Sequence, residues 1–110
     1  MQTVTFFIER KKMNQTPIFT VTTIQRALVA PVRCVGFFHE LENAHEWLRL
    51  NEGDINEDGY YPFAVIEEVK PGFYTFPREE RWYQWNKDTK RYVPCEKPER
   101  FKSTFGWGMG

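Results

Sequence analysis

Apolar and polar residues alternate from the start of the chain. Val4, Phe6 and Ile8 share one parity and Thr5, Phe7 and Glu9 the other, the two-residue period of a strand with one wetter face. The polar stretch RKKMNQTP separates this segment from PIFTVTTIQR, whose β-branched residues predict a second strand and a hairpin between the two. After LVAPV, the run RCVGFF reads as a third strand, with Gly36 marking a bulge or a close backbone approach. The period then changes. Leu41, Ala44 and Leu48 recur at spacings of three and four, Trp47 widens their stripe, and Glu40, Glu42, Glu46 and Arg49 fall outside it. That pattern predicts a short amphipathic helix over residues 40–50. His39 at the N-cap position and Glu42 three residues on form a weak variant of the capping box.

Further on, PFAVIEEV is a strand, Pro71-Gly72 a turn, and RWYQWN and KRYVP the aromatic arms of a hairpin whose tip, KDT, is polar. The tail FKSTFGWGMG either adds a last strand or frays, because its repeated glycines weaken any single conformation. The expected fold is α+β: a small antiparallel sheet of about five to seven strands with one short amphipathic helix packed on it.

A chain of 110 residues fits one domain, 1–110, with a core that needs neither disulfide nor metal. No apolar run approaches the roughly 20 residues of a membrane helix. The first residues also lack the basic-then-apolar order of a signal peptide. A cytoplasmic protein is therefore expected, with Cys34 and Cys95 as reduced thiols. Net charge is zero, so double-stranded nucleic acid is not an expected partner. The charges are nonetheless segregated: residues 40–68 carry nine acids and one Arg, between flanks in which Lys and Arg predominate. Such a distribution either neutralises itself on folding or presents a polarised surface to a charged partner, with Glu52, Glu57 and Asp58 as its acidic face.

GDINEDGYY raises a metal question. Counted from Asp54, a calcium loop needs oxygen ligands at positions 1, 3 and 5, glycine at 6 and a bidentate glutamate at 12. Asp54, Asn56, Asp58 and Gly59 satisfy the first four, but position 12 is Val65, which has no oxygen to give. The preferred reading is a helix-to-strand turn, since Asp, Asn and Gly tolerate left-handed backbone and bond to it locally. A weak calcium site at Asp54, Asn56 and Asp58 is the alternative. No cofactor is expected.

Catalytic constellations are sparse. The lone serine, Ser103, sits in the tail, His39 and His45 fall on different helix faces, and no phosphate loop, dinucleotide fingerprint or zinc spacing occurs. The expectation is a non-enzymatic protein. The hairpin is more informative, because Arg78, Arg81, Trp82, Trp85, Arg91 and Tyr92 place guanidinium groups beside large π faces. Such a set suits a nucleotide, through base stacking and phosphate pairing. It equally suits a protein interface. It also suits plain core packing across the hairpin, since a small domain with 17% aromatic residues must bury many of them.

GDINEDGYYPFAVIEEVKPGFY, the spaced WYQWN, YVPCEKPERFK and the closing GWGMG resemble a family of small uncharacterised proteins from Firmicutes and their phages. The likeness runs from the VGFF strand onward, about two-thirds of the chain. It implies a soluble cytoplasmic protein and admits a phage or prophage origin, with no activity, cofactor or catalytic residue to carry over. The functional expectation is a binding protein that blocks a host protein, such as a defence factor, with homodimerisation open. Sequestration of a nucleotide-type ligand through the Arg/Trp/Tyr hairpin is the first alternative, and weak calcium binding the second.

Overall fold

The computed structural model describes residues 17–25, 32–70, 79–104 and 107. Five antiparallel strands form one sheet in the order β2-β1-β3-β4-β5. They are β1 (Ile18–Ile24), β2 (Val32–Phe38), β3 (Phe63–Val69), β4 (Glu80–Asn86) and β5 (Arg91–Cys95). Among the described residues one α-helix, α1 (Leu41–Arg49), packs on the sheet, so the architecture is the α+β one that the sequence predicts. The Val4–Ile8 strand, the N-terminal arm of the first hairpin and the Pro71-Gly72 turn lie outside the described residues. No described helix is long and apolar enough to cross a membrane.

β1 and β3 occupy the interior of the sheet, and their composition follows from that position. Both are β-branched or apolar almost throughout because both of their faces are covered, leaving little of the wet alternation of a half-exposed strand. On one face Val21, Ala64, Ile66, Tyr83 and Tyr92 meet Ala44 and Leu48 of α1. On the other, Ile24, Val65 and Trp82 are capped by Phe101 and Trp107. β2 carries the irregularity expected near Gly36: Val21 faces Gly36 while Thr22 faces Cys34, so Val35 is the extra residue of a bulge.

The helix is nine residues long, too short to persist alone in water. Burial of Ala44 and Leu48 holds it in place. It begins one residue later than the capping-box reading implies. Glu40 occupies the N-cap without a side-chain bond, which moves Glu42 out of the position from which it would reach back. Asn51, at φ 53°, ends it in the left-handed conformation that asparagine tolerates. Trp47 does not extend the buried stripe; 54% exposed, it lies at the margin against Phe38, ring centroids 5.9 Å apart.

Of the tail, residues 101–104 and 107 lie within the described part. A 3-10 turn, Glu99–Phe101, brings Phe101 flat against Trp82 at 5.7 Å, and Trp107 meets Trp82 edge-on at 5.4 Å. Phe101 and Trp107 thus cover the sheet's second face around Trp82, each aromatic pair adding about 0.5–1.5 kcal/mol beyond area burial.

Because Leu48 is wholly buried between α1 and the sheet, Leu48→Ala is expected to lower unfolding free energy by about 2–5 kcal/mol. Exposed Glu42→Ala is expected to change it by less than about 0.5 kcal/mol. Urea denaturation followed by tryptophan fluorescence measures both.

Candidate functional site

The loop between α1 and β3 is organised around one side chain. Asn56 is fully buried. Its Oδ1 accepts the Gly59 N–H, and its Nδ2 donates to the Tyr61 carbonyl at 2.9 Å and to the Tyr92 hydroxyl at 3.3 Å. Tyr92 in turn donates to the same Tyr61 carbonyl at 2.7 Å. Asn51 Oδ1 accepts the Asn56 backbone N–H at 2.9 Å, and Asn51 Nδ2 donates to Asp54 Oδ1 at 3.2 Å. The loop follows a path in which Asn51, Gly53, Asp54, Glu57, Asp58 and Gly59 all have positive φ. From outside, Arg33 of β2 clamps it: its guanidinium donates to the Ile55 carbonyl at 2.9 Å, pairs with Glu57 and lies 4.4 Å over the Tyr61 ring.

These bonds explain the calcium-like spelling. Asp54 and Asp58 stay at the surface, while Asn56 turns inward and spends its amide on the protein itself. Among the described residues no group of three or more His, Cys, Asp or Glu is arranged to hold a metal ion.

The opposing element is the β4–β5 hairpin tip. Asn86 Oδ1 accepts N–H bonds from Asp88 at 2.9 Å and Thr89 at 3.1 Å, and Lys90, at φ 56°, returns its N–H to the Asn86 carbonyl at 2.8 Å. Between tip and loop lies a cleft of about 520 Å³ lined by residues that include Asn51, Asp54, Asp58, Gln84, Trp85, Lys87 and Lys90. Trp85 is half-buried there, edge-on against Tyr92 at 5.1 Å. A second cleft, about 690 Å³, lies at the other end of β4 and includes His45, Glu80, Arg81, Cys95 and Lys97. In it Glu80 pairs with Lys97 at 2.9 Å and the Tyr83 hydroxyl meets His45 Nδ1. Burial, and then the Arg81 charge, push the His45 imidazole below its ordinary range. Burial pushes the half-buried Cys95 thiol up, and both cysteines are free.

The hairpin residues expected to act together are dispersed. Arg78 lies outside the described residues. Arg81 is exposed and paired with Glu79 at 2.9 Å. Trp82 and Tyr92 do not face solvent: they point to opposite faces of the sheet, and the tail covers one while α1 and the 51–61 loop enclose the other. Trp85 borders the cleft between loop and hairpin tip, Trp82 borders the second cleft with only 5% of its surface exposed, and Arg91 is exposed at the start of β5, opposite Asn86. The acidic residues Glu52, Glu57 and Asp58 are all exposed, Glu57 in its ion pair with Arg33.

Two features stand outside the sequence-based candidates. Gln84 and Lys87 border the first cleft because Gln84 pairs with Phe63, the first residue of β3, and β4 runs on beyond it to Asn86, a matter of register rather than motif. Phe37, 61% exposed, is part of β2, a margin of the described sheet, and Trp47 of α1 lies beside the same strand against Phe38. Compared with protein-family models, curated proteins and solved structures, the chain matches none.

Asn56→Ala removes three inward bonds at once and is expected to cost about 3 kcal/mol or more. Asp58→Gly, at φ 56°, should stay within about 1 kcal/mol of wild type, because glycine accepts that backbone freely. Guanidinium unfolding curves compare the two.

Burial pushes the Tyr92 phenol up to about 12 from 10.0, against the bond from Asn56. The folded state therefore holds this proton more tightly than the unfolded chain. Its stabilisation is complete below about pH 10 and disappears as pH rises through about 12. On the order of 3 kcal/mol changes across that window. Absorbance titration of tyrosinate is expected to show a late-ionising tyrosine that Tyr92→Phe removes.

Proposed function

We propose that this protein acts by binding a protein partner in the cytoplasm, without catalysis, and that on a phage or prophage its task is to block a host protein, such as a defence factor. The observation that supports this is the pair Phe37 and Trp47, 61% and 54% exposed, the first on β2 and the second on α1 against Phe38, so that they border opposite faces of that strand. Large aromatic residues left in water at a sheet margin are the usual anchors of protein interfaces. Phe38 backs Trp47, Val32 adds 40%-exposed apolar surface further along the strand, and His39 stands edge-on to Phe37 at 6.0 Å.

The surroundings specify the character of the partner. Exposed Glu40, Glu42 and Glu46 make the water-facing side of α1 and its N-cap acidic, with Arg49 already engaged by Glu46 at 3.1 Å. A segment that lies along β2 with apolar side chains and basic flanks suits this surface, and extended strands at sheet margins are a common recognition mode. The interface role expected of the hairpin thus moves to β2 and α1. The acidic face remains in it, through the helix and Glu52.

Retention of bacterial lysate proteins on immobilised wild type, on Phe37→Ser/Trp47→Ser and on Glu42→Lys/Glu46→Lys tests the reading. The aromatic variant is expected to lose about 2 kcal/mol, roughly 30-fold in affinity, for the retained protein. The charge-reversed variant should bind it with reduced salt dependence. Unaltered thermal melting would separate these effects from misfolding. Retention of the same protein at equal strength by all three would remove β2 and α1 from the account.

A further inference from the structure

The cleft between the 51–59 loop and the hairpin tip shares no residue with the Phe37 and Trp47 surface, and it has a composition of its own. Asp54 and Asp58 border it from the loop, and Lys87 and Lys90 from the hairpin. Among the described residues none of these four charges takes part in an ion pair. Opposite charges facing one cleft would ordinarily close on one another. Here both sides are fixed by the backbone. Asp54, Asp58 and Lys90 sit at positive φ, and the Asn56 and Asn86 side chains lock the two turns from within. The charges are held apart with Trp85 and the Gln84 amide beside them.

We infer that this cleft is a binding site for a nucleoside monophosphate whose base carries an exocyclic amine. Each part of such a ligand has a counterpart. A phosphate of charge near −2 meets two ammonium groups. A flat base finds the half-buried Trp85 ring. An amine on the base donates to the Asp54 or Asp58 carboxylate, while Gln84 can both donate and accept. The volume, about 520 Å³, falls within the range of small-molecule sites and exceeds what a single ion or a free amino acid would fill. Further phosphates would run toward the acidic loop, which favours the monophosphate.

Isothermal titration of the full chain with AMP, CMP, UMP, adenosine and inorganic phosphate tests the inference, with tryptophan fluorescence in parallel. AMP and CMP are expected to bind, with UMP, adenosine and phosphate each at least about tenfold weaker. Lys87→Ala/Lys90→Asn should weaken AMP binding by at least about tenfold at an unchanged melting temperature; asparagine is chosen because it tolerates the backbone at residue 90. Asp54→Asn/Asp58→Asn should erase the preference for AMP over UMP. Trp85→Phe should abolish the fluorescence change. No binding of any nucleotide at millimolar concentration, phosphate binding as tight as AMP, or AMP binding unaltered in the lysine variant would each overturn the inference.

Discussion

Asn56 and Tyr92 converge on the carbonyl of Tyr61, and that buried contact fixes most of what surrounds it. It joins the loop leaving α1 to the last strand of the sheet, 36 residues further along the chain. The loop before it consists largely of residues in left-handed backbone, each unfavourable for a side chain with a Cβ by about 1–2 kcal/mol outside glycine, less for asparagine and aspartate. A path of that kind persists only where something outside it fixes the geometry. Asn56 does so from the inside, with every polar atom of its amide paired, and Arg33 from the outside. Full satisfaction is what makes the arrangement stable: in a buried network, one missing partner costs more than one good bond contributes.

The same node decides how the charge segregation resolves. The acidic stretch and its basic flanks are brought close together, yet they neutralise each other only in part. Arg33 takes Glu57 across that divide, while Lys97 is spent on Glu80 within its own flank. Asp54, Asp58, Lys87 and Lys90 face a common cleft and stay open, because their backbones are set before their side chains can choose. Surface ion pairs are worth at most about 1 kcal/mol, too little to pull such a turn out of shape. Electrostatics at this site is therefore a consequence of the fold and not a cause of it.

Strands and helix were legible in the sequence because each rests on local periodicity. The strands read in RWYQWN and in PFAVIEEV, and the helix read from the spacing of Leu41, Ala44 and Leu48, keep their bounds in the structure nearly residue for residue. What periodicity cannot say is which face of a strand will be covered. Trp82 and Tyr92 sit on opposite faces, and both are buried because distant side chains arrive over them: Phe101 and Trp107 over Trp82, and α1 with its exit loop over Tyr92. The DINEDG spelling was ambiguous for the same reason. A metal loop and a left-handed turn ask for the same residues, and the direction of the Asn56 side chain depends on a tyrosine in another strand. Phe37 and Phe38 were equally unreadable as a pair. Alternation separates them, but only the order of the strands shows that Phe37 lies at a margin of the described sheet.

Arg33 lies on β2, the strand that carries Phe37, and also grips the loop that borders the Asp and Lys cleft. Spatial continuity of this kind invites the idea that occupancy of one surface is reported to the other. Coupling, however, needs an element with two arrangements whose balance both sites shift. The loop offers the opposite: a single arrangement fixed by Asn56, Tyr92 and Arg33 together. A ligand that binds a structure already rigid raises the stability of the whole and leaves distant contacts as they were. The two surfaces are thus expected to be thermodynamically independent, and a partner on β2 and a nucleotide in the cleft would bind the same molecule without exchanging free energy.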